Sequence, residues 1–226
     1  ICLGYQNDSY LVDYTIPRFG SGEAKAVIKE TIRGTDLFIL ADVMNYSNTY
    51  HMFDNDNHKS PDDHFQDLKR VIAAAKISKA KRINVIIPFL YESRQHRRDK
   101  LESLDCANAL QELSHMGVEN IITFDAHDAR VQNAIPIRGF DNFFTSYQFV
   151  RDLLRYVPDI KIDKQHLMMI SPDEGGMTRA VYYANVLGIE MGMFYKRRDY
   201  STIVSSSMIF FISLSVMDSI INCCCS

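Results

Sequence analysis

The chain has 226 residues, with 25 Lys plus Arg against 28 Asp plus Glu and a formal net charge of −3. This faintly acidic balance argues against a nucleic-acid partner, and an apolar content of 46% supports a core in one large or two small domains. Five cysteines, three of them adjacent at Cys223, Cys224 and Cys225, make no disulfide framework, so Cys2 and Cys106 are expected reduced and the compartment cytoplasmic.

The opening ICLGYQNDS lacks the basic and long apolar regions of a secretory signal, and the absent initiator Met points to residues missing before it. Residues 9–15 and 23–31 alternate enough for two short strands around the turn at Gly20 to Gly22. DLFILA, 36–41, reads as a buried strand, and the Asn-, Asp-, His- and Ser-rich stretch from Asn45 to Asp63 as an exposed loop. Ser60-Pro61-Asp62-Asp63 is a strong helix start, with acids placed at the positive end of the dipole. That helix is expected over 62–79, burying Leu68, Val71, Ile72 and Ala75.

A regular rhythm follows: strand 83–88, helix 103–115, strand 119–124, helix 147–156, strand 166–170, helix 176–187, strand 190–195. Apolar runs alternating with helix-period segments predict right-handed βαβ units, hence an α/β fold with a mainly parallel sheet flanked by helices. The first of these strands, INVIIP, is β-branched and expected to be buried on both faces, with Pro88 ending its ladder.

Four segments carry candidate chemistry. Directly beyond INVIIP stand Arg94, Gln95, His96, Arg97, Arg98, Asp99 and Lys100. A cationic loop at the carboxyl end of a parallel strand suits a polyphosphate, because Arg forks meet phosphate oxygens bidentately. A solvated basic turn and a nuclear-import or nucleic-acid patch are the other readings, and the loop alone does not choose. Asp125 and His127 stand two apart at the end of IITF, where strand alternation would aim both at one ligand, with Asp128 next to them. A magnesium site and a purely local Asp cap are both open. SPDEGG, 171–176, joins a strand to a helix, where glycines let the backbone approach a phosphate or simply make a tight capped turn. Lys196, Arg197 and Arg198 end the last strand, either as a solvated rim or as positioned cations.

Taken in order, SRQHRRDK, IITFDAHDARVQNAIPIRGFDN, MMISPDEGGMTRA and YKRRDYS, preceded by RFGSGEAKAVIKETIRGTDLFI, resemble the ribose-phosphate diphosphokinase (phosphoribosyl pyrophosphate synthetase) family over roughly residues 15–204. The resemblance implies a phosphoribosyltransferase-like fold of two related halves: an N-terminal domain at 1–145 with the ATP loop, and the start of a second domain at 146–204. It implies transfer of diphosphate from Mg·ATP to ribose 5-phosphate, giving phosphoribosyl pyrophosphate and AMP, by a homo-oligomer with Mg²⁺ as cofactor. On the matching positions, Arg94, Gln95, His96 and Asp99 would hold ATP, and Phe19, Ser21 and Glu23 would hold the adenine of ATP bound mainly by a neighbouring subunit. His127 and Asp173 would hold the metal, Asp173, Gly175 and Gly176 the ribose phosphate, and Lys196 and Arg198 would be the catalytic cations. Glu174 stands where the family carries a small residue, and the position of Ser21 is often Asp or Asn.

Beyond Val204 the character changes. Residues 205–226 contain no Gly, Pro, Lys or Arg, and the apolar run Met208 to Leu214 falls short of the roughly 20 residues that span a bilayer, so no membrane partner is expected. The tail reads as aberrant and non-homologous, the product of a shifted frame or truncation. It would leave the second half incomplete, with a bare sheet edge and without the family's strand ending in paired acids and a Thr-Gly loop. Activity of this chain alone would then be lost. A catalytically silent nucleotide-binding subunit of a complete homologue is the alternative, and a phosphoribosyltransferase acting on a base is a third reading.

Overall fold

The computed structural model describes residues 10–197 and the strand 208–212. Tyr14–Thr15 (β1) and Val27–Ile28 (β2) pair antiparallel around the glycine turn, which a bridge between Arg18 and Ala24 narrows further. Asp36–Leu40 forms β3. The stretch expected as an exposed loop instead contains an antiparallel hairpin, Thr49–Met52 (β4) with Asn55–His58 (β5). Its two tip residues, Phe53 and Asp54, adopt φ of 48° and 60°. Positive φ at both central positions is the twist-matched geometry of a two-residue hairpin, so the connection works although neither residue is glycine.

Helix α1, Pro61–Ile77, begins as its start signal predicts: the Ser60 side chain accepts from the Asp63 N–H while the Asp63 carboxylate accepts from the Ser60 N–H. Then come β6 (Arg82–Ile86), α2 (Asp105–His115) and β7 (Asn120–Phe124). A 3₁₀ turn over Ala129–Ala134 leads into β8, Gly139–Phe143, a strand that the sequence pattern did not disclose. The last elements are α3 (Ser146–Tyr156), β9 (Met168–Ser171), α4 (Met177–Leu187), β10 (Glu190–Arg197) and β11 (Met208–Ile212).

The chain divides into two units, Ile1–Thr145 and Ser146–Ser226. In the first, β3, β6, β7 and β8 lie side by side in that order and all parallel. Parallel neighbours in chain order, joined by crossovers of the one hand such units favour, carry α1 and α2 to the same face. Ile83, Val85 and Ile121 therefore meet Phe65, Leu68, Ile72 and Ala75 of α1 and Cys106, Leu110 and Leu113 of α2 in one buried cluster. Strand residues on the other face of the sheet are less buried, which corrects the expectation of a strand buried on both sides. Ile86 and Ile122 are half-buried there, and Phe38 and Leu40 are exposed. Val71 of α1 is likewise only half-buried.

In the second unit β9 and β10 pair parallel, and β11 pairs antiparallel with β10, Met208 opposite Arg197 and Ile212 opposite Met193. The edge of β10 that the sequence left bare is covered by part of the tail itself, because an apolar five-residue segment is long enough to complete a ladder.

Candidate functional site

The carboxyl ends of β6 and β7 hold the first cluster. Beyond Ile87, whose N–H bonds to Ile122 O at 2.8 Å, the chain leaves the sheet through Pro88 and turns sharply at Glu92, φ 55°. Buried Ser93 anchors the turn to Leu90 O, and Gln95 N bonds to Glu92 O at 2.9 Å. The Gln95 side chain donates to Ser103 O at 2.7 Å, closing the loop on itself, and the Gln95 carbonyl accepts from Cys106 N at the start of α2. The exposed Arg97 lies 3.8 Å from Asp99, whose N–H bonds to Glu102 at 2.8 Å. Among the described residues the ion pairs of this loop are those of His96 and Arg97, so the exposed Arg94, Arg98 and Lys100 have no carboxylate partner. Cationic forks with no internal partner suit an anionic ligand.

His96 turns inward. Its ring lies 4.7 Å from the exposed His127 ring, its Nε2 is 3.8 Å from Asp128, and its Nδ1 is 3.2 Å from Arg94 O. The loop after β6 is thus brought against the loop after β7. Asp128 caps the 3₁₀ turn through Arg130 N at 2.9 Å. The Arg130 side-chain and backbone bonds, with the charge of Arg130 and lastly that of His96, outweigh burial and hold its carboxyl well below the ordinary range.

Asp125 and His127 do not share a face. β7 ends at Phe124 and Asp125 takes φ 45°, so the strand alternation behind that expectation stops one residue early. The Asp125 carboxylate accepts from Thr145 N at 3.2 Å and from the Thr145 hydroxyl, whereas His127 goes to His96. Asp125 therefore ties the end of β7 to the residue following β8.

Phe19, Ser21 and Glu23 form a separate turn. Phe19 N bonds to Glu23 O at 2.8 Å, Gly22 N to Phe19 O at 2.9 Å, and Ser21 Oγ to Glu23 Oε2 at 3.0 Å. Phe19 is 54% exposed, with Lys25 Nζ 6.0 Å from its ring centre. Among the described residues no hydrogen bond, ion pair or ring contact links this turn to the 94–99 loop.

In the second unit Asp173 caps the turn ahead of α4, its Oδ1 accepting from Gly176 N at 3.0 Å. Fully buried Ser171 donates to Asp173 O at 2.7 Å. A Cβ on Gly176 would lie 2.8 Å from Ser171 Oγ, so only glycine fits this approach. Gly175 is exposed beside it. Lys196 falls on β10 opposite Ile209, and Arg198 lies outside the described residues.

Among the described residues no three His, Cys, Asp or Glu side chains cluster as a metal cage. A lone imidazole such as His127 in the first unit, or a lone carboxylate such as Asp173 in the second, suits an ion carried in with phosphates, as Mg²⁺ is, rather than a self-sufficient protein site. A cavity of about 360 Å³ lies on the helical face of the first unit, lined among others by Asp62, Tyr91, Glu92 and Asp105. Burial, with Asp105 and Asp62 nearby, pushes the Glu92 carboxyl up. Burial and Glu92 push the free Cys106 thiol to about 11, which keeps it protonated. No described helix is long and apolar enough to cross a membrane.

The sequence reading missed Asp67, a buried carboxylate on α1 that accepts from Arg18 at 3.0 Å, Lys59 at 2.9 Å and Arg70 at 2.6 Å. The available signal was an acid set between Phe65 and Leu68 on the apolar side of the helix.

A family profile described as the N-terminal domain of ribose phosphate pyrophosphokinase matches residues 5–117. The ribose-phosphate pyrophosphokinase of Pasteurella multocida is 31% identical over 191 residues, 83% of this chain and 54% of that protein. Ribose-phosphate pyrophosphokinase B of Dictyostelium discoideum is 25% identical over 218 residues, 96% of this chain and 60% of its own, a span that takes in part of 205–226. The phosphoribosylpyrophosphate synthetase structure from Mycobacterium smegmatis shares the fold, with a TM-score of 0.70 at 20% identity over 88% of this chain and 59% of that one. The chain thus spans about half the length of the curated relatives it matches.

Proposed function

Since the chain belongs to the ribose-phosphate pyrophosphokinase family, we propose that it binds Mg·ATP at the carboxyl ends of β6 and β7 for transfer of diphosphate to ribose 5-phosphate. The observation that carries this reading is the 4.7 Å contact of the His96 and His127 rings, which brings the loop bearing Arg94, an arginine with no carboxylate partner among the described residues, against the loop that bears His127. Arg94 grips the phosphates as a charge-assisted fork, and Gln95 and Asp99 shape the loop that presents it. His96 supports His127, and Phe19, Ser21 and Glu23 receive the adenine of ATP bound mainly by a neighbouring subunit. His127 in the first unit and Asp173 in the second would each meet magnesium carried in with the phosphates, whose charge the metal would neutralise when bound. Asp173, Gly175 and Gly176 form the sugar-phosphate turn, with backbone N–H groups at the start of α4 to meet an anion.

In the transfer the anomeric hydroxyl of the sugar attacks the β-phosphorus, the bond from that phosphorus to the α-phosphate oxygen breaks, and AMP leaves. Such reactions depend on positioning and on charge stabilisation more than on covalent chemistry. Lys196 and Arg198 supply the cations that meet the charge on the moving group. Calorimetric titration with ATP, with and without Mg²⁺, tests the reading: binding that strengthens with the metal is expected, and no binding in its presence overturns it. AMP formed in proportion to added ribose 5-phosphate separates a transferase from a nucleotide-binding subunit without chemistry.

A further inference from the structure

The turn at Phe19 to Glu23 is a poor platform by itself. Its flanking strands β1 and β2 have two residues each, and isolated two-stranded hairpins are marginal in water. The Phe19 ring is mostly exposed, so its own burial does not fix it. Something else must hold the turn in place.

Arg18 is the first holding element. Its side chain is only 9% exposed. Nη1 donates to Gly22 O at 2.9 Å, across the mouth of the turn, and Nη2 donates to Asp67 of α1 at 3.0 Å. One rigid fork therefore ties the turn's backbone to a long helix. A flexible ammonium could not span both acceptors with fixed geometry. The β4–β5 hairpin is the second element. The Tyr50 ring of β4 covers the guanidinium, 4.1 Å from its centre, and Lys59, directly after β5, reaches Asp67 at 2.9 Å. Met52 Sδ lies 2.5 Å from where a Cβ on Gly22 would stand, and Gly22 has φ 88°. The hairpin thus touches the turn at its glycine, covers its arginine, and is pinned to the same carboxylate.

We propose that Arg18, Tyr50 and Asp67 are positioning residues for the Phe19–Glu23 turn, and that the β4–β5 hairpin is a clasp holding that turn ready for the base of a nucleotide. The inference rests on the reading of the turn as an adenine contact. A buried ion cluster is weak evidence for stability in itself, whereas a role in selecting one conformation fits three cations gathered on a single carboxylate.

The test compares Mg·ATP with Mg·tripolyphosphate, which has the phosphates but no base, by calorimetry on the parent, Arg18→Lys and Tyr50→Leu. Thermal unfolding and light scattering are followed in parallel. Arg18→Lys is expected to weaken ATP binding about tenfold while tripolyphosphate affinity stays within about twofold. Gly22→Ala, strained at its φ and driven against Met52, is expected to show the same base-specific loss. If Arg18→Lys fails to fold, Tyr50→Leu decides. Unchanged ATP affinity in the folded variants, or equal losses for both ligands, overturns the clasp. A parent that binds both ligands equally removes the adenine contact, and a parent that binds neither removes the proposed function and the clasp with it.

Discussion

Replacing Asp67 by Asn removes a charge from the middle of a buried cluster and leaves three cations around a neutral amide. The carboxylate is 6% exposed and accepts from Arg18, Lys59 and Arg70 at 3.0, 2.9 and 2.6 Å. Breaking a buried ion pair on one side costs about 3–5 kcal/mol, because the remaining charge stays desolvated and unpaired. Asn still offers one acceptor oxygen, and Asp63, 3.9 Å from Arg18, screens part of the surplus. The lower end, about 3 kcal/mol, is therefore expected at neutral pH. For a unit of this size that lowers the melting temperature by roughly 6–12 °C.

The effect should also depend on pH in a definite direction. Burial pushes the Asp67 carboxyl up, but the bonds from Lys59 and Arg70, with the charges of Lys59 and Arg18, outweigh it and hold the group below its ordinary value. A carboxyl depressed in the folded state stabilises above its unfolded pKa of about 3.9 and loses that contribution as pH falls through the folded value. Urea unfolding of parent and variant should show the full gap at pH 7 and a closing gap below about pH 4. A gap under about 1 kcal/mol at pH 7, or one that does not narrow in acid, would refute a buried carboxylate at the centre of this cluster.

Two further perturbations address the proposed ligand sites. Arg94→Ala removes an exposed fork with no described carboxylate partner, so ATP affinity measured calorimetrically should fall by about 1.5–3 kcal/mol while the ligand-free melting temperature barely moves. Gly176→Ala drives a Cβ to 2.8 Å from the Ser171 hydroxyl and 3.2 Å from Pro172, and should destabilise the second unit by about 1–3 kcal/mol. Hydrogen exchange resolved by segment would then report the loss in β9 and α4 and leave β6 and β7 unchanged.

What local chemistry dictates was legible in the sequence. α1 starts where Ser60-Pro61-Asp62-Asp63 says it must, because a capping box and a proline at the first turn act within four residues. The strands β3, β6, β7 and β10 lie where β-branched and apolar runs stand, and their alternation with helices was enough for a parallel α/β sheet. The family, too, was legible, since its motifs are short runs read in order. What the tertiary structure decided are the features whose cause lies far along the chain. β4 and β5 are polar and are strands because they pair with each other across a two-residue turn, with Tyr50 of β4 over Arg18. β8 reads GFDNF and is a strand because β7 offers it a parallel edge. β11 pairs because β10 does the same. Asp125 and His127 part company because a positive φ ends the alternation that spacing alone assumes. Asp67 stands between Phe65 and Leu68 on the buried side of α1, and nothing near it in the chain names all its partners. Only the fold, which brings cations from positions 18, 59 and 70 within 3.0 Å of it, made it the point to which the first unit's turn, hairpin and helix are tied.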